Sequence, residues 1–241
     1  MVAAGSDSGE GAGGSHLVSH HPVHAAPRLA LACGLLLALI ALLILAPETR
    51  TAEIAEVLVA GGAIVAAIAS TGVSRPVGLT AVGIAAIAVA GGIVTLLLRA
   101  SHAGTGYLLL LTVLVLAVPV AVVFGLRHEH TVTVQSVFGA IAVYLDVGLI
   151  FALLVSITAR FSDGPYFAQA AGEGSMSERV YFSFVTLATL GYGDLTPVTA
   201  LGRLLSVAES IIGSLYLVTA VSLVVSRVGM PRARRLPADG E

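Results

Sequence analysis

The chain has 241 residues, 57% of them hydrophobic and 11% charged, with a formal net charge of −2 and a mean hydropathy of +0.99. That balance excludes an ordinary soluble domain and places the chain in a lipid bilayer. The basic residues are all Arg and the net charge is modest, so nothing here suggests a nucleic-acid partner.

Residues 1–27 are rich in Gly, Ser and Ala, with His16, His20, His21 and His24, and carry too little apolar surface to fold alone. They read as a disordered tail whose histidines are assigned no site, and no small-residue cleavage site of a leader follows the first apolar run. Six runs nearly free of charge come next: Leu29 to Ala46, Ile54 to Ser70, Val77 to Leu98, Tyr107 to Leu126, Val134 to Ala159 and Leu204 to Ser226. At 1.5 Å of rise per residue each can cross roughly 30 Å of hydrocarbon, the first two at the short end. Residues 28–131 are therefore expected to form a four-helix transmembrane bundle with short loops. Its second and third spans are crowded with small residues such as Gly61, Gly62, Gly91 and Gly92 that let helices approach closely. Pro119 is expected to bend the fourth span. That span contains no Arg, and Arg127 follows only at its inner end, so the repeated charges that move in a membrane field are missing. Cys33 reads as packing, since a single cysteine forms no disulfide within its chain.

Both termini are expected on the cytoplasmic side. Arg28, Arg75, Arg127, Arg227, Arg232, Arg234 and Arg235 then lie inside, against Arg50, Arg99, Arg160, Arg179 and Arg203 outside. After the fifth span a loop from Arg160 to Met176 leads to Ser175 and Glu178, the S-x-x-E pattern of a capping box, with Ser177 as a competing cap. A helix from there toward Thr189 would be about 18 Å long, so it enters the membrane only halfway and must turn back. Its C-terminal partial charge would favour a cation, and irregular backbone at that depth is tolerated only where it lines a path. The backbone that follows is Thr189-Leu190-Gly191-Tyr192-Gly193-Asp194, with glycines at alternate positions. Residues 229–241 read as a short cytoplasmic tail whose arginines could touch anionic headgroups.

From Val185 through Arg227 the chain resembles the pore domain of tetrameric potassium channels. The resemblance rests on Thr189 to Asp194 and on Leu195-Thr196-Pro197-Val198-Thr199 followed by Gly202-Arg203-Leu204. It implies an all-α membrane protein of six transmembrane helices, with a re-entrant pore helix and filter loop between the last two and the pore domain at 132–228. It also implies a homotetramer, because one chain carries one loop of four. Thr189, Leu190, Gly191 and Tyr192 would offer carbonyls to K+, and Gly193 completes the selectivity filter. Asp194 would ring the outer mouth, and Gly213 would be the gating hinge of the inner helix. Ser214, Leu217, Val221, Ser222 and Val225 would line the inner path. Two features depart from the family. Leu190 stands where Val or Ile is usual, and Val185 where some members keep a glutamate that clamps the aspartate after the filter. With no Trp in the chain, an aromatic cuff would come from Tyr181, Phe182 and Phe184. Glu209, six residues past Arg203, is expected to hydrogen-bond behind the filter in place of the missing clamp, and Asp146 to make a buried structural hydrogen bond.

The expected function is thus a voltage-independent, potassium-selective channel of the plasma membrane, multi-pass, with K+ as permeant ion, no cofactor and no enzymatic activity. Two alternatives use the same loop, a nonselective cation channel and a modulatory channel subunit. A remoter one is an intramembrane aspartyl protease, since Gly191 to Asp194 also matches G-x-G-D and Asp146 could be a second carboxylate. That reading lacks the Pro-Ala-Leu motif and has Leu145 between Tyr144 and Asp146.

Overall fold

The computed structural model describes residues 28–70, 83, 86, 89–90, 93, 111–113, 115–120, 134–169 and 173–228. Five helices are described there: α1 (Arg28–Leu45), α2 (Arg50–Ser70), α3 (Val134–Arg160), α4 (Met176–Leu187) and α5 (Ala200–Val228). Among the described residues there is no strand, only an isolated bridge between Phe167 and Pro197. The architecture is all-α. Of the six expected spans, the first two and the last two coincide with α1, α2, α3 and α5. The third and fourth lie largely outside the described residues, which show helix at 83, 86, 89–90, 93, 111–113 and 115–120. The tails 1–27 and 229–241 lie outside them too.

Helix α1 is apolar on every side, as a helix with a protein neighbour on one flank and lipid on the other must be. Leu29, Ala32, Cys33, Leu36, Leu39 and Leu43 recur at helical spacing and are buried, packing with Val57, Ala60, Ala63, Ile64 and Ala67 of α2 in one apolar cluster. Leu31, Leu37 and Leu45 point outward. A methyl group on Gly61 would lie 2.8 Å from Val89, so this glycine is where a further helical segment comes close. The stretches Arg50–Ala69, Ser136–Arg160 and Ala200–Ala220 are long and apolar enough to cross a membrane. Helix α1 offers a shorter apolar stretch, Leu29–Leu45.

Helix α4, at 12 residues, is too short to cross. It begins with both halves of the capping box: the Glu178 backbone N–H donates to Ser175 Oγ at 3.1 Å, and the Ser175 N–H donates to Glu178 Oε2 at 2.7 Å. Ser177, the competing cap, is occupied elsewhere, its hydroxyl donating to the Ile44 carbonyl at 2.9 Å. Glu48, in the turn between α1 and α2, accepts the Met176 N–H at 2.9 Å. An anion at a helix N-terminus complements the helix dipole, so the α1–α2 corner holds the first turn of α4 by charge and by hydrogen bonds. The rest of α4 packs between α3 and α5. At Gly148 of α3 an added Cβ would meet the Phe184 ring at 2.7 Å, which fixes how closely α4 lies on α3.

Candidate functional site

The chain leaves α4 by tightening and then loosening its last turn. The Ala188 N–H donates to Phe184, that of Thr189 to Thr186 and that of Leu190 to Val185, at 2.9 to 3.0 Å. The next residues alternate in handedness. Thr189, Gly191 and Gly193 have φ of 57°, 54° and 78°, while Leu190 and Tyr192 stay outside the positive region. In an extended strand successive carbonyls point to opposite sides. Inverting φ at every second residue undoes that alternation and turns neighbouring peptide groups toward one side. Gly191 and Gly193 adopt this conformation without steric penalty. Thr189 adopts it against the preference of a β-branched residue, a local strain of the kind concentrated at functional backbones. Residues 188–194 are all exposed in the single chain, Leu190 at 56% and Tyr192 at 66%.

The loop is held on both flanks. Asp194 Oδ2 accepts the Tyr181 hydroxyl of α4 at 2.6 Å, and Asp194 Oδ1 accepts the Leu195 N–H at 3.1 Å. Beyond it, residues 196–198 pair with the segment after α3. The Ala168 N–H donates to Thr196 and the Val198 N–H to Tyr166, both at 2.9 Å, while the Gln169 carboxamide brackets Thr196 from both sides. Tyr166 and Phe167 are fully buried there, edge to face at 4.8 Å, with Phe182 of α4 against Phe167 at 5.0 Å. Burial pushes the Tyr166 phenol up to about 12, so it stays protonated at any physiological pH. Of the three aromatics expected around the loop, Tyr181 alone bonds to it. Phe182 packs under the segment after α3, and Phe184 lies against Gly148.

Glu209 is buried in α5 and hydrogen-bonds to Ser183 of α4, whose hydroxyl also lies 2.6 Å from the Gly148 carbonyl of α3. Its partner is thus the body of α4 and not Asp194. Asp146 is fully buried in α3, and neither carboxyl oxygen has a hydrogen-bond partner among the described residues. Among the described residues the structural hydrogen bond expected of it is not formed, and Ala142 and Leu149, its neighbours one turn away on α3, belong to the apolar cluster. Gly213 of α5 is buried against the end of α4, where an added Cβ would lie 2.6 Å from the Leu187 carbonyl oxygen. Tyr216 donates to the Ala140 carbonyl at 2.6 Å and stacks on Tyr144 with ring centroids 6.0 Å apart, tying α5 to α3. Ser214, Leu217 and Ser222 are exposed on α5. Nothing is described of the side chains of Val221 and Val225.

Sequence reasoning missed the Tyr181 bond to Asp194, the role of Ser183 and the grip of Glu48 on α4. Tyr181 carried a usable signal, since a phenol eight residues before Thr189 on the same short helix stands level with the loop's far end. Removing that hydroxyl with Tyr181→Phe leaves the ring in place. Among the described residues the carboxyl of Asp194 then keeps only the Leu195 N–H. The expected result is several-fold faster hydrogen exchange at the Leu195 amide, which bonds to the same carboxyl. In a double-mutant cycle, Asp194→Asn should change that exchange far less on the Tyr181→Phe background than on the original one.

Comparison with known proteins follows the same stretch of chain. A family model described as "Ion channel" matches residues 131–229. The human potassium voltage-gated channel subfamily A member 5 is 34% identical over 82 residues, covering 32% of this chain and 13% of that protein. The inward rectifier potassium channel Kirbac3.1 of Paramagnetospirillum magnetotacticum is 40% identical over 63 residues, 26% of this chain and 21% of the relative. Protein LctB of Bacillus caldotenax is 31% identical over 100 residues, 39% of this chain and 72% of the relative. The chain thus spans a small part of the two named potassium channels and most of the last protein. No solved structure matches it.

Proposed function

The chain belongs to the potassium-channel pore-domain family, and from that premise we propose that four copies surround one axis and conduct K+ selectively through the backbone of Thr189 to Gly193. The observation that carries this reading is the alternation of handedness at Thr189, Gly191 and Gly193. It gives each chain a short row of carbonyls that can replace the water around a dehydrated cation, and four rows close a ring. Helix α4 aims its C-terminal partial negative charge toward the inner end of that row. Asp194, repeated four times and fixed by Tyr181, concentrates cations at the outer end.

Assembly is supported by what one chain leaves uncovered. Leu201, Leu204, Val207, Ile211, Leu215 and Val218 of α5 are all more than half exposed, and so are Leu190 and Tyr192 of the loop. Lipid could cover the apolar side chains, but it cannot satisfy the backbone of residues 189–193, whereas other copies around a hydrated axis can. Voltage independence rests on the sequence of the fourth span, which lacks spaced arginines. The protease reading has no support from the two carboxylates. Asp194 bonds to Tyr181 and Leu195, Asp146 to no described residue, so they share no proton.

The test is the reversal potential of purified protein in planar bilayers under a potassium-to-sodium gradient while voltage is stepped. A reversal near the potassium equilibrium value with an open probability that ignores voltage is expected. A reversal near zero sinks potassium selectivity, and steep voltage dependence sinks the gating part.

A further inference from the structure

The contact between Glu209, Ser183 and Gly148 contains a proton count that fixes a chemical state. A serine hydroxyl has one proton to give. Ser183 Oγ lies 2.6 Å from the carbonyl oxygen of Gly148, which can only accept, and in hydrogen-bonding contact with Glu209 Oε1. If Glu209 were a carboxylate, both neighbours of that oxygen would be acceptors, and one contact would set two oxygens against each other with no proton between them. Both contacts are bonds only if the carboxyl carries the second proton. The site agrees with this count. Glu209 is 1% exposed within a single chain, so neighbouring copies do not alter its surroundings, and its other oxygen, Oε2, has no partner. A charge at this depth with one hydrogen bond would be costly, whereas a neutral acid is tolerated. Neither Tyr144 of α3, whose hydroxyl donates to the Leu187 carbonyl, nor Tyr166 of the following segment bonds to it.

We infer that Glu209 is a neutral carboxylic acid that donates to Ser183, which donates in turn to Gly148, a relay that pins the middle of α4 between α5 and α3. Glu209 touches no permeating ion in this arrangement. It is a positioning residue, and through α4 it holds the height and tilt of the loop that begins at Thr189. Ser183 stands midway along α4, between the grip of Glu48 at its start and the contact of Leu187 with Gly213 at its end. The inference deepens the proposed conduction and depends on that reading for its functional half alone.

Two measurements test it. The first is the infrared difference spectrum between the wild-type assembly and Glu209→Gln at neutral pH, in membranes. The expected difference is loss of one carboxylic-acid carbonyl band, shifted by deuterium exchange, with no loss of carboxylate bands. Loss of carboxylate bands overturns the assignment. Ser183→Ala serves as a second variant, because it leaves the acid in place without its acceptor. Its carboxylic-acid band should move to higher frequency, and an unmoved band overturns the relay. The second measurement is sustained potassium current. Glu209→Gln keeps an N–H for Ser183 and should hold steady current within about twofold of wild type, whereas Glu209→Leu keeps the bulk and loses the donor, and should lower it about tenfold. Equal behaviour of Gln and Leu overturns the positioning role. If wild-type protein itself passes no potassium-selective current, the functional reading fails while the spectroscopic result still decides the proton.

Discussion

Gly191→Ala and Gly193→Ala are each expected to abolish potassium selectivity while the assembly still forms. No atom lies within 4 Å of a Cβ built on either glycine, so within the chain the effect comes from backbone conformation and not from a clash. The φ values of 54° and 78° are ones an L-residue adopts at a cost of roughly 1 to 2 kcal/mol. In the proposed ring of four, such residues together lose about 4 to 8 kcal/mol, comparable to the whole stability of a small domain. The loop avoids that cost by relaxing to negative φ, which turns a carbonyl away from the axis. The bilayer reversal potential reads the change directly, and it should fall from the potassium value toward zero. D-alanine at the same positions separates the two explanations, because its mirror-image preference favours positive φ. Selectivity retained with D-alanine and lost with L-alanine would establish conformation as the cause, and equal loss with both would point to lack of room in the assembly.

Much of this arrangement was legible in the sequence because it follows from short-range chemistry. The S-x-x-E spacing at Ser175 and Glu178 forms a capping box, and the helix after it runs for 12 residues before alternating glycines break its geometry. The helical runs α1, α2, α3 and α5 were visible as well, since hydropathy alone decides what enters a bilayer. Less legible were contacts between residues far apart in sequence. Nothing in the composition joins Glu48 to Met176 or Ser183 to Glu209, because such pairs exist only once helices have chosen their faces. Glu209 stood out as a costly intramembrane carboxyl, yet its partner could not be read. Asp146 stood out for the same reason and has no partner among the described residues. An apolar sequence says that a polar group needs an explanation. It does not say which neighbour supplies one, or whether protonation makes one unnecessary.

Gly213→Ala is the sharper case, because two accounts of the same glycine give different outcomes. A hinge needs a glycine for backbone freedom, and on that account alanine stiffens α5 and changes how often the pore opens while its reversal potential stays fixed. The structure gives this glycine another task. A Cβ at 213 would sit 2.6 Å from the Leu187 carbonyl oxygen and 2.8 Å from Leu187 Cδ1. The first is backbone, held at the end of α4, and cannot swing aside as a side-chain tip can. Alanine gains about 1 kcal/mol of helix propensity over glycine, while forcing a methyl group into such a contact costs roughly 1 to 3 kcal/mol. The net strain falls on the last turn of α4, and its bonds from Thr189 to Thr186 and from Leu190 to Val185 pass any shift to the loop. We therefore expect Gly213→Ala to weaken selectivity against sodium and not only to alter opening. Trimming Leu187 to alanine in the same chain should restore selectivity only in part, because it removes the Cδ1 contact and leaves the carbonyl in place. An unchanged reversal potential with altered open probability would return Gly213 to the hinge account. A shifted one would make it the point where α5 sets the position of the loop.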